Sequence, residues 1–465
     1  MFLQQFYVPS LGHYSYLIGS TEAGVAFVAD PKRDIDDYLT TAQALGLRIT
    51  HILDTHLHND YVSGSRELAA ATGATICHSA AAQLGYAHQP LDEGAILRFG
   101  ELEVRVLETP GHTPEHLAYV IYDTTRSTTL PSAVLTGGDL LVGSVGRPDL
   151  LGEELGRQLA PQLYDSIHEK ILPVGDAVQI WPTHGAGSSC GAAISSTRTS
   201  TIGYEKVANP YLQHPSRAAF VAAVLHGQPT VPAYYRRMRP INQQGPRVVG
   251  RFPGPAPLAP ADFQCRAQTG DAVVLDTRMP LAFGGAHIPG AINVGLDNNF
   301  TTWAGSVVPA GVPLYLVLEA AAQVGEVVCQ LMRIGYEQIP GYLLGGMPAW
   351  TAAGLPLTTL PQLTVQDLQA QLAQANAPQV IDVRKEDEWQ EGHIAGALHI
   401  VGNDVVPGAA GLPHDRPLAL ICGGGYRSSV ASSLLQRAGF TRVANVLGGM
   451  SAWNQLHLPT VRGAD

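Results

Sequence analysis

The sequence predicts a multidomain α/β chain, and three observations carry that expectation. At 465 residues the chain is too long for one hydrophobic core and suits three domains. An internal repeat runs through its second half: Val274-Leu275-Asp276-Thr277-Arg278, Gly285-Ala286-His287-Ile288-Pro289-Gly290-Ala291 and Leu344-Gly345-Gly346-Met347-Pro348-Ala349-Trp350 recur about a hundred residues later. Finally, short apolar runs end in Gly- or Pro-marked turns that carry polar, chemistry-bearing side chains, the usual arrangement of function on a rigid scaffold.

Taking the elements in order, residues 47–53 read as a buried strand. It delivers the chain into Asp54-Thr55-His56-Leu57-His58-Asn59-Asp60-Tyr61. Alternate spacing in an extended loop lets His56 and His58 converge on one point, and imidazole with carboxylate suits zinc, iron or manganese. Further candidate ligands follow at other turns beside apolar runs such as 117–122 and 177–181. They are His112 in Thr109-Pro110-Gly111-His112, Asp139 in Thr136-Gly137-Gly138-Asp139, and His184 in Pro182-Thr183-His184-Gly185.

In this order these residues resemble the metallo-β-lactamase superfamily over about half the chain, which implies an αββα sandwich with the metal at one rim. Members with two metals carry a histidine where Tyr61 stands, and a neutral phenol is a poor ligand near pH 7. A mononuclear site is therefore expected. Gly143-Ser144-Val145-Gly146-Arg147-Pro148-Asp149 extends the similarity to the persulfide dioxygenases. That resemblance implies mononuclear, non-haem Fe(II) held by His56, His112 and Asp139, with His58, Asp60, Tyr61 and His184 behind them orienting ligands or bound water. Arg147 is a candidate contact for an anionic carrier thiol, with a salt bridge as the alternative. Cys190, in the small-residue loop after His184, is a candidate substrate contact or a buried thiol.

Near the C-terminus the apolar Ala419-Leu420-Ile421 runs into Cys422-Gly423-Gly424-Gly425-Tyr426-Arg427, followed by a helical stretch at 430–437. Successive glycines and a helix N-terminus stabilise a thiolate or an anion above the loop. With Val380-Ile381-Asp382-Val383-Arg384, Glu391-Gly392-His393-Ile394 and Leu447-Gly448-Gly449-Met450 around it, this part resembles a rhodanese domain. The related phosphatases use a loop one residue longer. The resemblance implies a parallel-sheet α/β domain in which Cys422 takes sulfur as a persulfide and Gly423, Gly424, Gly425 and Tyr426 cradle it. Arg427 closes the ring, and Arg384 orients the loop or binds an anionic acceptor.

The first copy of the repeat has lost this nucleophile. Aligned without a gap, it carries Leu318 at the place of Cys422 and Gln323 at that of Arg427, and it is expected to be a spacer or docking element. Cys77, Cys265 and Cys329 are read as packing residues. The expected boundaries are 1–240 for the metal domain, 241–260 for a linker, 261–358 for the inactive copy and 359–465 for the active one, with a shorter linker at 355–361.

Composition agrees. A net charge of −11 without a basic cluster argues against nucleic acid. No apolar run is long enough to span a bilayer, and five unpatterned cysteines suit a reducing cytoplasm. A homo-oligomer is expected. The partners implied by resemblance are dioxygen, sulfite, thiosulfate and small persulfides such as those of glutathione or coenzyme A. The alternative is a zinc-dependent thioester hydrolase of the glyoxalase II kind fused to a sulfurtransferase.

Overall fold

The computed structural model describes every residue except those at positions 229, 253, 464 and 465; position 253 of the expected linker therefore lies outside the described residues. The chain forms two compact units, one comprising Met1–Phe252 with Cys329–Gly335, the other running from there to Val328 and resuming at Tyr336.

The first unit contains two six-stranded sheets. One holds β1 (Phe2–Val8), β2 (His13–Ser20), β3 (Val25–Ala29), β4 (Arg48–Leu53), β5 (Thr75–Ser79) and β6 (Gln89–Leu91) in sequential order. The other draws on β7 (Ile96–Phe99), β8 (Leu102–Glu108), β9 (Leu117–Asp123) and β10 (Ala133–Gly137). A small hairpin of β11 (Leu140–Leu141) and β12 (Ser144–Val145) follows, then β13 (Gln179–Pro182) and β14 (Ser200–Thr201) complete the second sheet, in the order β14-β13-β10-β9-β8-β7.

Side-chain alternation sorts the apolar residues to the two faces of each sheet. On β2, Tyr16 and Ile18 enter a core with Phe27, Phe99, Tyr119 and Trp181 between the sheets, while Leu17 packs outward with Tyr38 and Leu68 of two helices, Asp36–Ala44 and Ser65–Thr72. On β9, Tyr119 and Ile121 face inward, and Ala118 and Val120 meet Leu163, Phe220 and Val224 of the helices Glu153–Asp165 and Arg217–Leu225. Both faces of these strands are covered, so they read in the sequence as unbroken apolar runs. The result is the αββα sandwich that the resemblance implied.

In the second unit, β15 (Ala256–Leu258), β16 (Val273–Asp276), β17 (Ile292–Asn293), β18 (Leu314–Val317) and β19 (Gly341–Leu343) form a sheet in the order β15-β19-β18-β16-β17. Next, β20 (Gln362–Leu363), β21 (Gln379–Asp382), β22 (Leu398–His399), β23 (Leu418–Ile421) and β24 (Val443–Val446) repeat it as β20-β24-β23-β21-β22. All the strand pairs in both sheets are parallel.

The expected linker at 241–260 is shorter in the structure. Residues 241–244 complete the helix Tyr235–Gln244, because Asn242 is buried there and its amide donates to the carbonyls of His58 and Tyr61 and accepts from the Ser63 N–H. Beyond that helix, Glu67 accepts the N–H groups of Val249 and Gly250. The stretch 355–361 is likewise tied down, with Leu360 buried and its N–H on the Gly284 carbonyl. Cys77 is buried as expected, Cys329 is half-buried, and Cys265, expected to pack in a core, is exposed. Among the described residues no helix is long and apolar enough to cross a membrane.

Candidate metal centre and sulfur-transfer loop

Four strand-end turns meet at one rim of the sandwich: 54–61 after β4, 109–116 between β8 and β9, 138–139 after β10, and 183–184 after β13. The pairing explains this convergence. β13 runs parallel to β10, which is antiparallel to β9, so the ends of β10 and β13 and the start of β9 share one edge.

His56, His112 and His184 bring ligand atoms within 4.8 Å of one another, and so do His58, Asp60 and His184. The Nε2 atoms of His56, His112 and His184, both Asp60 carboxylate oxygens and Asp139 Oδ2 are buried without a hydrogen-bond partner. Such a concentration of orphaned polar atoms is costly in an empty interior and fits a bound cation. His184, expected behind the ligands, thus joins the group with His56 and His112. Asp139 is not in these groupings; its Oδ1 accepts the His112 N–H at 3.0 Å, and its Oδ2 lies 3.4 Å from His116 Nδ1.

Hydrogen bonds aim the rings. Thr55 Oγ1 donates to Asp30 Oδ2 at 2.9 Å and lies 2.8 Å from His56 Nδ1, so it accepts from Nδ1–H, which keeps the proton there and leaves Nε2 as the free lone pair. His112 Nδ1 donates to the Arg147 carbonyl at 2.9 Å with the same effect. Burial lowers His56 and His184 well below the usual histidine range and holds His112 down to about 4. These imidazoles are neutral, the state a metal requires. Burial also raises Asp60 to about 6 and Asp139 well above the ordinary carboxylate range. For His58, burial alone lowers the pKa, but the Asp30 carboxylate at 3.2 Å reverses the direction and raises it. Close packing accompanies this order: a Cβ on Gly138 would stand 2.2 Å from His112 Cδ2.

Several supporting residues escaped the sequence reading. Asp30 accepts from Thr55, Thr183 and His58; its signal was a lone aspartate at the end of an apolar strand, followed by proline. His116 accepts the Gly138 N–H at Nε2 and pairs with Thr109 at Nδ1, so both of its nitrogens are engaged. Glu115 accepts the Leu57 N–H between His56 and His58 and pairs bidentately with Arg239. Burial works to raise Glu115, yet the Arg239 guanidinium holds it down at about 2. Tyr61 donates to the Asp30 carbonyl at 3.2 Å.

The guanidinium of Arg147 pairs with Asp149 at 2.6 and 2.7 Å, the salt bridge that was its alternative reading. Cys190 is buried, and burial raises its thiol pKa well above the ordinary value, with Asp60 and Ser188 nearby. A cavity of about 510 Å³ opens beside Asn59 and is lined by Asp149, Tyr235, Arg236 and Arg239.

In the second unit, Cys422 directly follows β23 and is 1% exposed. Its Sγ accepts from the Gly425 N–H at 3.1 Å and from Ser428 Oγ at 3.3 Å. Gly425 adopts φ +103°, a turn that places the helix Tyr426–Arg437 directly after the loop. Carbonyls of the loop point the other way, Cys422 to the Met450 N–H and Gly423 to that of Ser451. Tyr426 Oη donates to the Gly295 carbonyl. Arg384 turns to Asp382 and to the Gly392 carbonyl and is buried, repeating the Arg278–Asp276 pair of the first copy.

The fold and these two sites define a metallo-β-lactamase-fold protein joined to two rhodanese-like domains. Residues 259–353 and 364–456 each match the rhodanese-like domain family. Bos taurus "Persulfide dioxygenase ETHE1, mitochondrial" is 30% identical over 45% of this chain and 75% of that protein. The chain belongs to the persulfide dioxygenase family. It is also 35% identical to a hydroxyacylglutathione hydrolase of Rhodospirillum rubrum, over 35% of this chain and 58% of that protein. A crystal structure titled metallo-beta-lactamase from Staphylococcus aureus aligns with a TM-score of 0.66 at 34% identity, covering 74% of this chain and 98% of that one.

Proposed function

We propose that the chain oxidises low-molecular-weight thiol persulfides with dioxygen to sulfite at a mononuclear Fe(II) centre, and that Cys422 moves sulfane sulfur to or from thiosulfate. The observation that carries the first half is the set of buried, partnerless ligand atoms on His56, His112 and Asp139 in a chain related to persulfide dioxygenases. Two imidazoles and a carboxylate suit iron, whereas three imidazoles suit zinc. When bound, the iron supplies the redox chemistry that joins dioxygen to the outer sulfur. The chain's own residues do the rest. Thr55 and the Arg147 carbonyl fix the ligand tautomers, Glu115 and Arg239 fix the loop between His56 and His58, and burial excludes water. The cavity beside Asn59 takes the carrier thiol, with exposed Arg236 facing its anionic groups; glutathione and coenzyme A persulfides both fit that chemistry.

At the second site, a sulfite lone pair attacks the outer sulfur of the Cys422 persulfide. The S–S bond breaks, its electron pair returns to Cys422 as thiolate, and thiosulfate leaves; the reverse step loads Cys422 from thiosulfate. The Gly425 N–H and Ser428 hydroxyl hold the leaving thiolate.

Metal content tests the ligand set. Protein purified anaerobically is expected to lose at least about tenfold in iron on Asp139→Ala and to keep most of it on His184→Ala. The opposite pattern would establish the three-histidine centre instead. A second reading, a dinuclear zinc thioester hydrolase, is favoured by the convergence of His58, Asp60 and His184. It predicts two zinc ions per chain and thioester cleavage without oxygen uptake.

A further inference from the structure

The loop Cys422–Arg427 contains one cationic side chain, and a carboxylate from outside the loop holds it. Arg427 Nη1 and Nη2 donate to Oε2 and Oε1 of Glu388 at 2.6 and 2.7 Å. Glu388 belongs to the short helix Glu386–Glu391 that follows β21. The guanidinium lies over the loop, where a Cβ on Gly423 would stand 2.9 Å from Nη2. Both partners are partly exposed, at 23% for Arg427 and 32% for Glu388, so the site is open to solutes. A second acid, Asp297, stands beside Tyr426. The attraction left for an anion above Cys422 therefore comes mainly from backbone N–H groups.

The inactive copy supplies an internal control. It keeps the buried Asp276–Arg278 pair, the His287 ring stacked on Phe283 and the Trp350 anchor, as the active copy keeps Asp382–Arg384, His393 on Trp389 and Trp453. At the spacing that relates Asp276 to Asp382, however, Ala282 stands where Glu388 does, and at the spacing that relates Leu314 to Leu418, Gln323 stands at the place of Arg427. The copy without the cysteine lacks both halves of the ion pair but none of these scaffold contacts. Glu388 thus goes with the chemistry rather than with the fold.

We propose that Glu388 is a specificity-determining residue of the sulfur-transfer loop: by neutralising Arg427 it weakens the hold on dianionic sulfur species, so that thiosulfate and sulfite exchange readily at Cys422. This rests on the sulfur-transfer reading of Cys422. A bare arginine beside the loop would bind a dianion through charge-assisted hydrogen bonds and retain thiosulfate after it forms. With Glu388 in place, the anion must compete for a guanidinium that is already matched.

The test uses the full-length chain as wild type, Glu388→Gln, Glu388→Ala and Glu388→Asp. Thiosulfate turnover with cyanide as acceptor gives KM and kcat. Protection of Cys422 from iodoacetamide by inorganic sulfate, read by mass spectrometry on the Cys422 peptide, gives anion affinity without turnover. Glu388→Gln and Glu388→Ala are expected to lower both KM for thiosulfate and the half-protecting sulfate concentration by roughly three- to tenfold, the size expected for one partly exposed charge pair. Both variants should also steepen the salt dependence, and Glu388→Asp should restore values near wild type. Unchanged or raised constants in Glu388→Gln and Glu388→Ala would overturn the proposal and make Glu388 a support for Arg427. If wild type turns over no thiosulfate, the sulfur-transfer reading fails by itself, and the sulfate protection still decides whether Glu388 controls anion affinity.

Discussion

In the first rhodanese-like copy, β18 is followed by Leu318, 4% exposed; in the second, β23 is followed by Cys422, 1% exposed. Each strand is followed by a helix, but the routes differ. After Leu318 the chain makes a 3₁₀ turn at Ala321–Gln323, with the Gln323 side chain accepting the Ala320 N–H, before the helix Val324–Arg333. After Cys422 three glycines lead straight into the helix Tyr426–Arg437, whose first turn closes on the sulfur. Two sheets of equivalent strand order thus carry different loops, and the copies differ in a handful of residues after one strand.

The helices also differ in what they touch. Ser429 Oγ donates to Asn293 Oδ1, and Ser433 Oγ accepts the Asn293 N–H, so the first copy buttresses the helix behind Cys422. Residues 329–335, which include the end of the counterpart helix, group with the first unit, where Arg333 pairs with Asp34 and its carbonyl accepts the Val62 N–H.

The largest test of this contrast is Cys422→Ser, which should lower thiosulfate sulfurtransferase turnover by about a thousandfold or more, while Leu318→Ala leaves it within about twofold. Equal losses would erase the distinction between the copies. Next, Asp276→Ala and Asp382→Ala should each destabilise the second unit by about 3–5 kcal/mol, because each leaves a buried arginine unpaired. Urea unfolding measures both. A cost at one copy alone would show that the pairs are not equivalent supports. Smallest, Asn293→Ala should cost about 1–3 kcal/mol through the hydrogen bonds lost to the Ser429 hydroxyl and the Arg278 carbonyl, the Asp276 carbonyl keeping the Val294 N–H. It should also slow sulfur transfer, measured as kcat with thiosulfate, without changing metal content.

Much of this was legible in the sequence for a physical reason. The repeat fixed two copies of one fold, and histidines at strand ends marked the metal rim, because few other roles place imidazoles in such turns. What escaped depends on distance through space. Asp30 reaches Thr183 across 153 positions and Glu115 reaches Arg239 across 124, so neither pair leaves a local pattern. Arg147 and Arg384 show the opposite case, a short-range pairing. Each lies two residues from an aspartate, and the side chain folds back onto that neighbour instead of reaching outward. His184, expected behind the ligands, lies within reach of His56 and His112, a proximity that sequence order does not carry. Glu388 lay in a charged stretch that reads as a solvated helix face.

The most direct test of the account is oxygen uptake on glutathione persulfide by anaerobically purified, Fe(II)-loaded chain, with zinc-loaded protein and Cys422→Ser alongside. The account predicts iron-dependent uptake in both wild type and Cys422→Ser, with thiosulfate formed by the wild type and sulfite accumulating in the variant. Absence of uptake with iron, or unchanged thiosulfate formation without Cys422, would contradict it.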